Sequence, residues 1–251
     1  MEKSNLDKLL KNQRGMLLAY DHGFEHGPSD FDERSVDPEW IIKIAESGYF
    51  TGVIFQKGIA SKYYDPEKNK VPLIIKMNGK TSFHKDEEPL SLSNCSVDEA
   101  VNLGAVAIGY TIYVGSEHEQ KMIDEFAGIE EEAHSKGLAV IGWMYPRGKK
   151  IKSDTDKDTL AYAARLGLEL NADAVKIKYT GDPESFRWVV DSAGKTKVFV
   201  VGGDKSSIEE IIKTTSEIVK AGAVGWAIGR NIWQSNDPIS TAKRISKELY
   251  K

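Results

Sequence analysis

The sequence predicts a single (β/α)8 barrel over residues 1–251, and three observations carry that expectation. Eight short β-favouring runs alternate with helical patterns along the chain, the signature of βα units around a parallel sheet. The 251 residues match the length of one such TIM barrel, typically about 250. The longest irregular stretch, 78–96, follows the third run and so falls on the C-terminal face, where barrels keep their sites. No composition shift, flexible linker or low-complexity segment suggests a second domain.

In chain order the runs are 16–20, 52–55, 73–77, 106–110, 138–143, 174–178, 198–201 and 225–228. Helical periodicity covers 38–47, 97–103, 116–136, 157–170, 183–193, 206–221 and 238–250, and several of these segments open with Ser, Asp or Pro. The second unit carries only a short helical turn near 58–64. The pairs Gly104-Ala105 and Gly222-Ala223 each precede a strand and suit tight turns between helix and strand.

With 40% hydrophobic and 29% charged residues the composition is that of a globular protein with a large core. A net charge of −4 gives no electrostatic case for nucleic acid or for an anionic membrane. No stretch approaches 18 apolar residues, and Met1-Glu2-Lys3-Ser4-Asn5 has no signal-peptide core, so a cytoplasmic location is expected. The lone Cys95 fits that compartment and excludes an internal disulfide.

The chemistry centres on the sixth run, which carries Lys176 and Lys178 and stops at Gly181-Asp182. Side chains two apart on a strand share a face, so both amines would look into the barrel mouth. Burial and a like neighbour both disfavour an ammonium, and a neutral lysine amine attacks carbonyls. The plain alternative for a K-x-K is a structural ion pair for one lysine and solvent for the other. Periodicity alone does not choose the nucleophile. Depth favours Lys176, one pleat further in, with Lys178 expected to remain an ammonium that keeps Lys176 neutral and binds substrate.

Other strand ends supply the remaining groups. After the first, Asp21 is placed to hold a substrate hydroxyl or the lysine, although a turn-capping aspartate would read the same. His22, Glu25 and His26 spell H-x-x-E-H, a metal motif when helical, but Gly23, Gly27 and Pro28 argue against a helix there, so no metal site is expected. After the fifth, Tyr145 is placed for proton transfer and Trp143 shares its face as an apolar wall. After the seventh and eighth, Gly202-Gly203 and Gly229-Arg230-Asn231 offer two glycine turns and a guanidinium for phosphate.

Taken with 18–23, Glu25-His26-Gly27-Pro28, 55–60, 94–97, Tyr145-Pro146-Arg147-Gly148, 176–182 and Gly229-Arg230-Asn231, the chain resembles the archaeal-type class I fructose-1,6-bisphosphate aldolases over nearly its whole length. The resemblance implies a Schiff base on Lys176, proton transfer by Tyr145 and substrate binding by Asp21. It assigns His22, Trp143, Arg147, Lys178, Val201, Gly202, Gly203, Gly229 and Arg230 to the phosphosugar site. It also implies no metal or other cofactor, a place in glycolysis and gluconeogenesis, and a large homo-oligomer. Val201 and Asp204 depart from the family pattern, where a small polar residue usually precedes the glycine pair and proline follows it.

Two other readings compete. The related 2-amino-3,7-dideoxy-heptulosonate synthases of aromatic amino acid biosynthesis share the Tyr145-Pro146-Arg147-Gly148 and Tyr179-Thr180-Gly181-Asp182 pieces. A non-catalytic phosphosugar-binding barrel would keep the fold but has no need of Lys176, Tyr145 and Asp21 together.

Overall fold

The computed structural model describes residues 5–85 and 87–251. Residues 1–4, on which most of the leader reading rests, and residue 86 in the irregular stretch lie outside them. Eight parallel strands close into a barrel in chain order: β1 Gly15–Ala19, β2 Gly52–Gln56, β3 Leu73–Lys76, β4 Ala105–Val114, β5 Ala139–Pro146, β6 Ala174–Ile177, β7 Lys197–Val201 and β8 Gly225–Ile228. The helices are α1 His22–His26, α2 Pro38–Ala45, α3 Lys57–Tyr63, α4 Val97–Asn102, α5 Glu119–Ser135, α6 Lys157–Glu169, α7 Pro183–Ser192, α8 Ile208–Lys220, α9 Arg230–Trp233 and α10 Pro238–Leu249.

The helix starts follow from local chemistry. Asp37, Asp182 and Asp237 each accept a backbone N–H two or three residues on and are each followed by proline at the first helical position. Ser207 and Glu210 form a reciprocal capping box on α8. A side-chain cap of this kind contributes about 1 kcal/mol, and proline there removes a donor the helix would leave unbonded anyway. Gly104 and Gly222 take φ of 80° and 100°, the left-handed conformation that ends a helix before a strand.

Strand period two sorts the core into two layers. Leu17, Ala19, Ile54, Ile74, Ala107, Ile141, Trp143, Ala174, Phe199 and Ala227 fill the barrel, while their alternates pack outward against the helices. A 3-10 turn at Asn5–Leu9, not foreseen from the sequence, sends Leu6 and Leu9 into the inner cluster.

Three local features differ from expectation. β4 and β5 run past 110 and 143 because their apolar tails pair with each other up to Val114↔Pro146. Residues 22–26 are helical: the turn is only five residues long, and Gly27, at φ 67°, and Pro28 stand at its end, not inside it. β6 ends at Ile177, so Lys178 lies just beyond the strand.

Candidate active site

At the C-terminal mouth the inward-facing positions change from apolar to reactive. β5 and β6 pair with Trp143 opposite Lys176, and Trp143 is 1% exposed and Lys176 4% exposed. The Lys176 Nζ lies 4.8 Å from the centre of the indole and has no hydrogen-bond partner among the described residues. Burial drives the lysine's proton affinity down, against the pull of Asp21 and Glu25. The indole fits because position 109 on β4 is glycine: a Cβ there would meet the Trp143 ring at 1.8 Å.

Asp21 and His22 stand at the end of β1. Burial pushes the Asp21 carboxyl up, but Lys176, His22 and Lys76 together hold it below its ordinary value, so it is a carboxylate. His22 is lowered to about 4, first by burial and then by Lys176, His26 and Arg230, with Asp21 opposing. It is therefore neutral near pH 7. Its Nδ1 is 3.8 Å from Asp21 Oδ1 and is buried without a hydrogen bond to any of the described residues. Tyr145 is raised well above the usual phenol value by burial, Asp21 and Glu25, so it is a phenol.

The opposite wall is built for an anion. A Cβ at Gly229 would meet the Ala19 carbonyl oxygen at 2.4 Å, and one at Gly202 would meet Ile228 at 2.7 Å, so the backbone approaches where a side chain could not. Arg230 donates to Gly203 O at 3.2 Å and to Asp204 Oδ1 at 3.0 Å, and lies 3.9 Å from Asp30. Its Nε is buried with no hydrogen-bond partner among the described residues, a donor without an acceptor. Asp204, the departure noted above, thus contacts Arg230, and Val201 borders the same space without a hydroxyl.

One cavity of about 310 Å³ is lined by Asp21, His22, Trp143, Tyr145, Arg147, Lys176, Lys178, Val201, Gly202, Gly203, Gly229 and Arg230, which brings together the residues the sequence assigned to catalysis and phosphosugar binding. Lys178 has a different setting from the one expected: it pairs with Asp154 and is 37% exposed. Burial is the first influence on Lys176, with Asp21 and Glu25 opposing it, and Lys178 is engaged by Asp154 at the rim. Arg147 stacks 5.2 Å from the centre of the Tyr113 ring and also borders a second cavity of about 450 Å³, with Lys80, Lys85 and Lys149.

Sequence reasoning missed Lys76 and Glu25. Lys76 is fully buried at the end of β3, 5.7 Å from the Trp143 ring centre, and Glu25 borders both cavities. The signal for Lys76 was there: a lysine at an inward position of an apolar run. The H-x-x-E-H residues do share a helical turn, yet His26 Nδ1 is engaged by Asp30 at 2.5 Å, and among the described residues no three His, Cys, Asp or Glu side chains form a metal-binding group.

A barrel whose buried amine faces a phenol and an anion pocket defines a class, the imine-forming carbon–carbon lyases. The comparisons with known proteins agree: residues 15–235 match the model of the DeoC/LacD family aldolases. The chain is 50% identical to the class 1 fructose-bisphosphate aldolase of Thermoproteus tenax, over 94% of this chain and 90% of that one. It is 40% identical to the class 1 enzyme of Halobacterium salinarum at the same coverage. A solved archaeal fructose-1,6-bisphosphate aldolase, its catalytic lysine covalently bound to the substrate's carbinolamine intermediate, superposes with a TM-score of 0.94 at 47% identity, covering 98% of both chains. The chain belongs to the DeoC/LacD aldolases and, within them, to the archaeal-type class I fructose-1,6-bisphosphate aldolase family.

Proposed function

We propose that this chain cleaves fructose 1,6-bisphosphate reversibly to dihydroxyacetone phosphate and glyceraldehyde 3-phosphate, in glycolysis or gluconeogenesis, as a single cytoplasmic domain of residues 1–251 within a homo-oligomer. Among the described residues no helix is long and apolar enough to cross a membrane. The observation that carries the reading is Lys176, a buried amine with no hydrogen-bond partner among the described residues, facing a phosphate-type pocket in the same cavity. No metal or other cofactor is called for, because an iminium serves as the electron sink.

Lys176 attacks the C2 carbonyl, forming the C–N bond while the carbonyl electron pair moves to oxygen, which takes a proton from the attacking nitrogen to give the carbinolamine. Tyr145 enters as a phenol and gives its proton to the departing C2 hydroxyl, which leaves as water. The phenolate left beside the new iminium takes the C4 hydroxyl proton as the C3–C4 bond breaks, and that bond's electrons flow into the iminium. The aldehyde product departs. Tyr145 returns the proton to C3 of the enamine; water then adds to the regenerated iminium and gives a proton back to the phenolate, and the carbinolamine collapses to release the ketone and restore the amine. The Asp21 carboxylate accepts from a substrate hydroxyl. One phosphate sits between the Gly202-Gly203 and Gly229-Arg230 turns, and the other points toward Arg147, with Lys178 at the rim.

A coupled assay of triose phosphate release tests the reading, with turnover expected to survive a strong chelator. Turnover of an aminoheptulosonate precursor without fructose bisphosphate cleavage would favour the synthase, and no turnover of either would favour a binding barrel.

A further inference from the structure

The Lys76 side chain is the most deeply buried charge in the barrel, and the reaction above gives it no part. Its Nζ donates to Asn78 O at 2.5 Å and to Asn78 Oδ1 at 2.6 Å. The orientation of that amide is fixed: Asn78 Nδ2 donates to Ser91 O and Thr111 O, both at 2.9 Å, and Oδ1 also accepts the Thr111 N–H at 2.8 Å. Two acceptors are thus aimed at Lys76, while Lys176 has none among the described residues. Both amines lie over one indole, 5.7 and 4.8 Å from its centre. When two such sites compete, the positive charge settles on the one that is hydrogen-bonded.

Resting on the aldolase reading, we propose that Lys76 is a positioning residue for the reaction: a fixed cation behind Trp143 that keeps the Lys176 amine free to attack the substrate carbonyl. This is the part the sequence assigned to Lys178, which is paired with Asp154 at the rim. At a separation of roughly 10 Å or less, in surroundings less polar than water, one charge disfavours a second like charge on the order of tenfold. The groups facing the pair from neighbouring elements are Asp21 at the end of β1 and Glu25 on α1, which oppose the effect, and Tyr145 and Tyr113, which burial keeps as neutral phenols. Burial, and after it Lys176, lower Lys76 to about 8 against the pull of Glu25 and Asp21, and the two acceptors on Asn78 are what hold the proton on it.

The test is the pH dependence of imine formation, read as the rate at which cyanoborohydride traps fructose bisphosphate on the protein. Lys76→Met should lose on the order of tenfold at pH 7 and regain the unsubstituted plateau at alkaline pH, while Lys76→Arg should keep the original profile. Lys76→Gln, which can still donate to Asn78, is expected to behave as the Met variant does and replaces it should that variant not fold. An equal loss at every pH, or an unchanged profile, would overturn the proposal. So would an unsubstituted protein whose limb lies at the ordinary lysine value of 10.5. Absence of any trapped imine in the unsubstituted protein at every pH is a different failure, which removes the aldolase reading and this proposal with it.

Discussion

Lys176 and Trp143 stand opposite one another in the β5–β6 register, and the lysine nitrogen lies 4.8 Å from the centre of the indole. Without that wall the amine would meet water at the barrel mouth and hold its proton near the ordinary lysine value. The wall depends on a glycine. Because a Cβ at Gly109 would fall 1.8 Å from the ring, Gly109→Ala should force the indole to move and cost roughly 1–3 kcal/mol by overpacking. A lower Tm together with a large loss of turnover is expected, and a fully active, fully stable Gly109→Ala protein would refute the role given to this packing.

Tyr145→Phe keeps the ring and removes the proton. The variant should still bind substrate, while turnover falls by about 10²- to 10⁴-fold. Steady-state kinetics beside a binding isotherm separate the two, and unchanged turnover would take Tyr145 out of the mechanism.

Asp204 holds Arg230 at 3.0 Å but is 95% exposed, so the pair is screened and contributes about 1 kcal/mol or less. A substrate phosphate must compete with that carboxylate for the guanidinium. Asp204→Asn should therefore lower KM by a few-fold at most, with kcat unchanged, an effect visible in low-salt kinetics and fading as salt rises. A raised KM would mean that Asp204 supports the phosphate site.

His22 makes folding pH-dependent. Its folded value of about 4 lies below the ordinary 6.5, so between those values the unfolded chain binds more protons and stability falls as pH falls. The loss between pH 7 and pH 5 is on the order of 2 kcal/mol from this side chain. Denaturant melts at the two pH values should show it, and in His22→Gln the difference should shrink by that amount. An identical pH difference in the variant would assign the slope to other groups.

The barrel was legible because its strands alternate with capped helices, each signal lying within a few neighbouring residues. Asp37-Pro38, Asp182-Pro183 and Asp237-Pro238 announce their helices locally. What the sequence hid depends on contacts distant in the chain. The tails of β4 and β5 are strands only because they pair with each other. Lys178 looked like a free cation because its partner Asp154 lies 24 residues away. Lys76 looked like the polar end of an apolar strand, since nothing beside it shows that Asn78 would be turned to receive it. Gly23 and Gly27 argued against a helix by composition, whereas a single turn bounded by Gly27 tolerates them.

The central claim is that Lys176 carries the imine. Strand period leaves Lys178 as the rival, and borohydride reduction in the presence of fructose bisphosphate, followed by peptide mass mapping, decides between them. One adduct is expected, on Lys176, abolished in Lys176→Ala and retained in Lys178→Ala with weaker substrate binding. An adduct on Lys178 would contradict the assignment, and no adduct on either lysine with substrate bound would contradict the Schiff-base mechanism itself.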